Sequence, residues 1–280
     1  MLQFKTPELK YLSYRQGQIA YRETGTGQTL FFLHGMNGNS KSWENLFYSL
    51  SSSFRVVAWD APSFGGSDVF GDNIEEYKNA AKALIETLKL KKIILIGHSM
   101  GGLIASQLAY DYDVSVSGLI LSSTHLGFGC KKGEPLMERY ANRLKTFSTK
   151  LSDIDYAMER AQRKTPEGTS ESVIKFLANV ALDIRKESIR DGGRMSQETD
   201  NTNICKDLKV PVLILSGGKD TVISTEMHAS LIAALPRAHK VVFPKAGHAS
   251  FAEYPDQFNY QVTEFAKKVW NLNETVLNKL

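Results

Sequence analysis

Four consecutive aliphatic residues at positions 93–96 constrain the fold more than any other stretch of this chain. A strand with apolar side chains on both faces needs cover on both faces, which helices packed on either side of a sheet supply. Similar short runs occur at residues 30–33, 55–59 and 210–215, and longer amphipathic stretches separate them. This alternation predicts an α/β chain whose sheet is mostly parallel and twisted, with helices on both faces.

Weaker patterns complete the predicted core. Further strands are expected at residues 19–23, 118–121 and 240–243. Helices are expected at residues 74–90 and 102–110, and a closing helix is expected to start at Pro255 and continue through Val269.

Residues 125–208 interrupt the alternation, because these 84 residues show helical periodicity and no convincing strand. We therefore expect a core made of residues 1–124 and 209–280, with residues 125–208 inserted into it as a helical cap. The cap carries 15 basic and 13 acidic residues, so its composition indicates no charged patch for a polyanion.

Composition narrows the class of protein. The chain is 42% hydrophobic and 23% charged, which is typical of a soluble globular protein, and no apolar run approaches the roughly 20 residues of a membrane span. The net charge of +4 arises from 34 basic and 30 acidic residues interleaved along the chain, which argues against a nucleic-acid partner.

The cysteines and the amino terminus give two further expectations. Cys130 and Cys205 are the only cysteines, and no Cys/His cluster has zinc-ligand spacing, so neither a disulfide framework nor a metal site is predicted. Residues 1–10 contain no apolar segment of a secretion signal, and we expect a cytoplasmic protein.

The segment Gly97-His98-Ser99-Met100-Gly101 has G-x-S-x-G spacing directly after a predicted strand and directly before a predicted helix. A serine at the tip of such a turn has a strained backbone, and small residues on either side let strand and helix approach each other. The context therefore predicts that Ser99 is a nucleophile.

A serine nucleophile needs a base, and the base needs an orienting carboxylate. In this type of sheet the chain order is serine, acid, histidine, which leaves His228, His239 and His248 as candidate bases. His248 is favoured because it follows a strand on a loop, where open α/β sheets bind ligands. Asp220 ends the loop after the strand at 210–215, and the same argument selects it as the acid.

The loop that follows residues 30–33 is expected to bind the reacting carbonyl. The backbone N–H of Met36 and that of Met100, the residue after the nucleophile, are the predicted oxyanion donors. Residues near these two groups are the predicted substrate contacts: His34, Gly35, Asn37, His98 and, from the cap, His125.

Four segments together resemble the lidded members of the α/β-hydrolase fold family: His34-Gly35, residues 60–67, residues 97–102, and Asp220 with the Ala246-Gly247-His248 segment. The resemblance implies a nucleophilic Ser99, an acid–base His248, an orienting Asp220, oxyanion donors at Met36 and Met100, and a cap that roofs the pocket. One departure is Ser63, where relatives usually carry glycine. Two interpretations are open, a reshaped entrance to the site and a neutral surface change, and we favour the second.

These patterns predict a cofactor-independent serine esterase that cleaves a carboxylic ester of a mainly apolar small molecule through an acyl-enzyme on Ser99. One alternative is hydrolysis of a carbon–carbon bond, as in meta-cleavage product hydrolases. Those enzymes tend to have Asn and Trp where this chain has His98 and Ala249. A second alternative is a ligand receptor without turnover. The sequence indicates no oligomeric state.

Overall fold

The computed structural model describes residues 6–111, 114–150 and 152–271, so the first five residues of the amino-terminal segment 1–10 lie outside it. The strands form an eight-stranded sheet in the order β1-β2-β4-β3-β5-β6-β7-β8. The strands are β1 Lys10–Tyr14, β2 Gly17–Thr24, β3 Thr29–Leu33, β4 Arg55–Trp59, β5 Ile93–His98, β6 Val116–Ser122, β7 Val212–Gly217 and β8 His239–Phe243. In this order, each neighbouring pair from β4 through β3 to β8 is parallel. At one edge, β1 pairs antiparallel with β2, and β2 pairs antiparallel with β4.

Helices connect the strands and cover both faces of the sheet. A short 3-10 helix, Ser40–Trp43, leads into the first of them. The helices of the described residues are α1 Glu44–Leu50, α2 Ile74–Thr87, α3 Met100–Tyr110, α4 Glu138–Thr149, α5 Asp153–Gln162, α6 Glu171–Ala181, α7 Lys186–Glu198, α8 Thr202–Asp207, α9 Thr225–Ala234, α10 Ser250–Glu253 and α11 Pro255–Trp270.

Strand β3 shows how the sheet divides the hydrophobic core into two layers. Successive side chains on a strand point to opposite faces. Phe31 and Leu33 pack in the layer that contains α2 and α3, whereas Leu30 and Phe32 pack in the layer that contains α1 and α11. All four side chains are buried, as expected for a strand covered on both faces.

The structure confirms the predicted fold class and the buried strands at the centre of the sheet. Strand β1 was missed because its side chains are mostly exposed and its sequence contains no continuous apolar run. Helix α2 ends three residues earlier than predicted, where Leu88 and Lys89 form a turn and Lys89 has a positive φ of 52°.

Helices α4 to α8 lie between β6 and β7, where the sequence predicts an insertion. Residues 125–208, hereafter called the cap segment, are joined to the core at the loop of residues 60–67. The Ser63 hydroxyl donates to the buried Asp191 carboxylate at 2.7 Å, and the Ser188 hydroxyl donates to the Ser63 carbonyl at 2.5 Å. Ser63 is fully buried, so interpreting it as a neutral surface change was wrong.

Within the ranges that the structure describes, no helix is both long enough and apolar enough to span a bilayer.

Candidate active site

The turn between β5 and α3 places Ser99 at its tip. Ser99 has φ 51° and ψ −118°, a strained combination for a residue with a side chain. The turn is tight, because a Cβ atom on Gly97 would lie 2.5 Å from the Gly101 carbonyl oxygen and one on Gly101 would lie 2.1 Å from the Leu33 carbonyl oxygen. The two glycines flanking the serine are therefore required by close backbone approach, as the motif predicts.

Hydrogen bonds to neighbouring strands and loops hold the backbone of Ser99. Its N–H donates to the Ser122 carbonyl at 2.9 Å, and the Thr124 hydroxyl donates to the Ser99 carbonyl at 2.6 Å. Thr124 lies just beyond β6, and sequence analysis did not identify it because a hydroxyl after a strand has many ordinary roles.

His248 and Asp220 meet at the carboxyl edge of the sheet, on the loops that follow β8 and β7. The His248 Nδ1 and Asp220 Oδ2 atoms are 2.8 Å apart, and both side chains are buried. The other carboxylate oxygen accepts the Val222 and Ile223 N–H groups at 2.8 and 3.2 Å. Burial alone would raise the pKa of Asp220, but the His248 hydrogen bond, the His248 charge and these amide bonds hold it below its ordinary value.

An ionised Asp220 fixes the tautomer of a neutral His248. The carboxylate only accepts hydrogen bonds, so Nδ1 carries the proton and Nε2 keeps a free lone pair. The imidazole can therefore accept a proton on the side away from Asp220.

Met36, in the loop after β3, and Met100, the first residue of α3, are the two predicted oxyanion donors. Within the described part of the chain, neither backbone N–H donates to a protein acceptor. Both side chains are buried against α7, since a Cβ atom on Gly192 would lie 3.0 Å from Met100 Sδ and 3.2 Å from Met36 Sδ. Neither amide therefore has a protein acceptor among the described residues, and α7 packs against both methionine side chains.

The structure brings four of the five predicted substrate contacts to one cleft and places the fifth, His34, outside its lining. Gly35, Asn37, His98 and His125 line one cleft of about 840 Å³, together with Met36, Met100, Ser99 and His248. His34 does not line it. Its Nδ1 donates to the Gly35 carbonyl at 2.8 Å and its Nε2 accepts the Ala61 N–H at 2.9 Å, so His34 joins the β3 loop to the loop of residues 60–67. Burial lowers the pKa of His34 to about 4.

His98 and His125 contribute neutral rings to this cleft. The His98 ring lies against the His248 ring, with 4.7 Å between centroids, and burial with the adjacent His248 charge holds the pKa of His98 well below its ordinary value. Burial and the charge of Arg139 lower the pKa of His125 to about 4. Neither ring adds a positive charge to the site near neutral pH.

The cap segment supplies a cationic wall to the same cleft, which we call the basic wall. It consists of Arg139, Arg143, Arg160, Arg163 and Lys164, from α4 and from the end of α5. Glu159 is the one carboxylate among the described residues that line the cleft, and it pairs with Arg160 at 2.7 Å and Arg163 at 2.9 Å.

The basic wall carries more positive than negative charge, because five basic side chains share the single carboxylate of Glu159 among the described lining residues. Arg160 is 7% exposed, and its Nε has no hydrogen-bond partner among the described residues. Removal from water, together with the charges of Arg143 and Arg160, lowers the pKa of Lys164 to about 7. A site built this way favours an anionic ligand, which would supply the missing opposite charge.

This wall differs from the sequence analysis, which expected a mainly apolar substrate and no cationic patch. Tyr140 is the aromatic residue of the described cap segment that lines the cleft beside these basic groups. The five basic residues are separated by up to 25 positions in sequence, and the fold of the cap segment brings them to one cleft. Helical spacing relates Arg139 to Arg143 and Arg160 to Lys164, but it does not relate one pair to the other.

No group of three or more His, Cys, Asp or Glu side chains in the described residues is arranged to hold a metal ion.

Comparison with known proteins identifies the fold family. A family model described as the alpha/beta hydrolase fold matches residues 28–255. A pimeloyl-[acyl-carrier protein] methyl ester esterase of Pectobacterium carotovorum is 30% identical over 89% of this chain and 98% of its own length, and the protein of the same name from Pectobacterium atrosepticum is 29% identical with the same coverage.

Solved structures share the architecture. A thermophilic esterase from Thermogutta terrifontis superimposes with a TM-score of 0.80 at 25% identity, covering 94% of this chain and 99% of its own. The enol-lactonase from Burkholderia xenovorans superimposes with a TM-score of 0.81 at 22% identity, covering 92% of this chain and all of its own, and it supports the fold alone.

Proposed function

Since this chain belongs to the α/β-hydrolase fold family and is a hydrolase that acts on esters, we propose that Ser99 is its nucleophile and forms an acyl-enzyme. The observation that carries the proposal is the cleft itself. It is lined by a serine on a strained turn and by a histidine whose Nδ1 is bonded to a buried carboxylate. This combination supports nucleophilic catalysis with proton transfer by His248.

Acylation begins when the Ser99 oxygen attacks the ester carbonyl carbon and His248 Nε2 takes the hydroxyl proton. The carbonyl oxygen becomes an oxyanion, which the Met36 and Met100 N–H groups bind. The C–O bond to the alcohol then breaks, and the proton held on His248 passes to the leaving alkoxide. The products of this half-reaction are the free alcohol and an ester between the acyl group and Ser99.

Deacylation repeats these transfers with water. His248 takes a proton from the water while its oxygen attacks the acyl carbon, and the same two amides bind the new oxyanion. Collapse returns the proton to Ser99 and releases the carboxylic acid. Asp220 stays ionised throughout and stabilises the imidazolium formed in each half-reaction.

We further propose that the ester substrate carries an anionic group, as an acyl chain attached to an acidic carrier would. The basic wall supports this, because its uncompensated charges lie in the cleft that also contains Ser99. The named activity of the relatives, on a methyl ester of pimeloyl-[acyl-carrier protein], fits the same chemistry. An electrostatic site of this kind raises the association rate and the salt dependence of binding.

Labelling with an organophosphonate tests the nucleophile. The account expects one phosphonyl group per chain, on Ser99, and no labelling of the Ser99→Ala variant. Loss of ester hydrolysis should accompany labelling in proportion. Recovery of the label on another residue, or full activity in Ser99→Ala, would overturn the assignment.

Paired substrates test the anionic group. Arg143→Met is expected to lower kcat/KM for pimeloyl-[acyl-carrier protein] methyl ester about 5- to 10-fold, equivalent to about 1 to 1.4 kcal/mol, and to leave kcat/KM for neutral dimethyl pimelate unchanged. Arg15→Met is the matched control, because Arg15 lies at the β1–β2 turn and pairs with Glu76. Equal losses on both substrates would contradict a charge-based role.

Carbon–carbon bond hydrolysis remains the alternative that the sequence raised, and no observation on this cleft favours it. A dienoic diketone substrate assayed beside the esters distinguishes the two reactions.

A further inference from the structure

The loop that presents His248 is held at three consecutive backbone amides. The Glu253 carboxylate accepts the Gly247 N–H, with oxygens at 2.9 and 3.1 Å, and the Ala249 N–H at 3.1 Å. The amide between them, that of His248, donates to the backbone carbonyl of Lys164 in the cap segment at 2.7 Å. Every main-chain donor from 247 to 249 therefore has a defined acceptor.

The loop has little room to move between these contacts. A Cβ atom on Gly247 would lie 2.7 Å from the Lys164 carbonyl oxygen and 2.8 Å from Pro166 Cδ. On its other side, a Cβ atom on Gly217 would lie 1.9 Å from the Gly247 carbonyl oxygen. The main chain at Gly247 is thus packed between β7 and the cap segment. The hydrogen bonds to Glu253 fix the orientation of the peptide groups within that space.

From this arrangement we propose that Glu253 is a positioning residue for the reaction, because its carboxylate holds the main chain on both sides of His248. This rests on the proposed role of His248. Glu253 touches neither Asp220 nor the cleft through any described hydrogen bond, and it acts through the backbone of the histidine loop. Helix α10 sets the separation, since it begins immediately after Ala249 and ends at Glu253.

The ionised carboxylate is the form that suits this role. Each of its oxygens only accepts, and both amides only donate, so all the bonds form without a donor facing another donor. Burial raises the pKa of Glu253, with a contribution from the Asp220 charge, while the bonds from Gly247 and Ala249 oppose the rise. A glutamine keeps the shape but must turn its NH₂ toward one of the two amides.

Glu253→Gln tests the proposal, with Glu264→Gln as matched control. Glu264 lies on α11 with its side chain 45% exposed, and it pairs with Lys267, so the same chemical change there removes a surface contact. Glu253→Gln is expected to lower kcat on the order of 10²-fold with KM nearly unchanged, because a small displacement of a proton-transfer group is costly. It should also shift or broaden the downfield proton resonance of His248 Nδ1–H.

The outcomes separate this inference from the proposed function. Glu253→Asp keeps the charge with a shorter reach, and its kcat should fall between wild type and Glu253→Gln; active-site titration with the phosphonate corrects each value for the folded fraction. If Ser99 is labelled in wild type but Glu253→Gln retains wild-type kcat and resonance, positioning by Glu253 is wrong. If the wild-type chain is not labelled at Ser99, the proposed function fails instead.

Discussion

Removing the Ser63 hydroxyl should show how strongly the core holds the cap segment. Ser63 is fully buried, has a positive φ of 72°, and donates to Asp191, whose carboxylate is 2% exposed and also accepts from Arg190 at 2.6 Å. A hydrogen bond to a charged group contributes about 1.5 to 3 kcal/mol. Ser63→Ala should therefore lower the free energy of unfolding by about 2 kcal/mol.

Ser63→Gly introduces a second effect of opposite sign. A left-handed backbone costs a residue with a side chain about 1 to 2 kcal/mol, and glycine returns roughly half of that after its greater unfolded-state entropy is counted. The lost hydrogen bond is the larger quantity, so the glycine variant should still be destabilised, by about 1 kcal/mol. The predicted order of stability is wild type, then Ser63→Gly, then Ser63→Ala.

Urea unfolding followed by circular dichroism measures these differences. In thermal unfolding, the Tm should fall by about 5 °C for Ser63→Ala and by about 2 to 3 °C for Ser63→Gly, because 1 kcal/mol corresponds to roughly 2 to 4 °C in a large domain. A double-mutant cycle with Asp191→Asn should give a coupling energy of about 1 kcal/mol or more. A glycine variant as stable as wild type, or a coupling near zero, would refute the reasoning.

Three further results are expected. Asp220→Asn should lower kcat about 10³- to 10⁴-fold with little change in Tm, measured by steady-state kinetics, because the amide can no longer fix the tautomer. Burial lowers the pKa of His125 to about 4, so as the pH falls the unfolded chain binds a proton before the folded protein does. The free energy of unfolding therefore decreases as the pH drops from about 6.5 towards 4. Between pH 7.5 and 5, the free energy of unfolding of His125→Gln should decrease by roughly 2 kcal/mol less than that of the wild type. Thr124→Val should lower kcat several-fold, because it removes one of the two hydrogen bonds to the Ser99 carbonyl and leaves that from the Gly102 N–H. Ser106→Ala, which removes a bond inside α3, should leave kcat unchanged.

Sequence determined the parts of this molecule that depend on local pattern. The aliphatic run before Gly97 predicts a strand buried on both faces, and the structure has β5 there with every residue buried. The two glycines around Ser99 predict a tight turn. The structure confirms it, because a Cβ atom on Gly97 or Gly101 would lie 2.5 or 2.1 Å from a backbone carbonyl oxygen. The loop positions of Asp220 and His248 predict proximity because parallel strands end at one edge, and their side chains are 2.8 Å apart.

Features made by contact between distant segments could not be predicted in this way. The basic wall joins α4 to the end of α5, and no periodicity in either helix indicates that they face the same cleft. Ser63 reads as a surface residue until Asp191, 128 positions away, is placed against it. His34 shows the converse, since both ring nitrogens of this histidine are hydrogen-bonded to backbone groups and the side chain does not line the cleft.

The acyl-enzyme itself offers the most direct test of the central claim. With a p-nitrophenyl ester the leaving group departs readily, so acylation outruns deacylation and the intermediate accumulates. Rapid acid quenching followed by peptide mass spectrometry should find the acyl group on the peptide that contains Ser99, at close to one per chain, with a matching burst of p-nitrophenolate. Steady hydrolysis with no acyl group on Ser99, or with the group on another residue, would contradict the account.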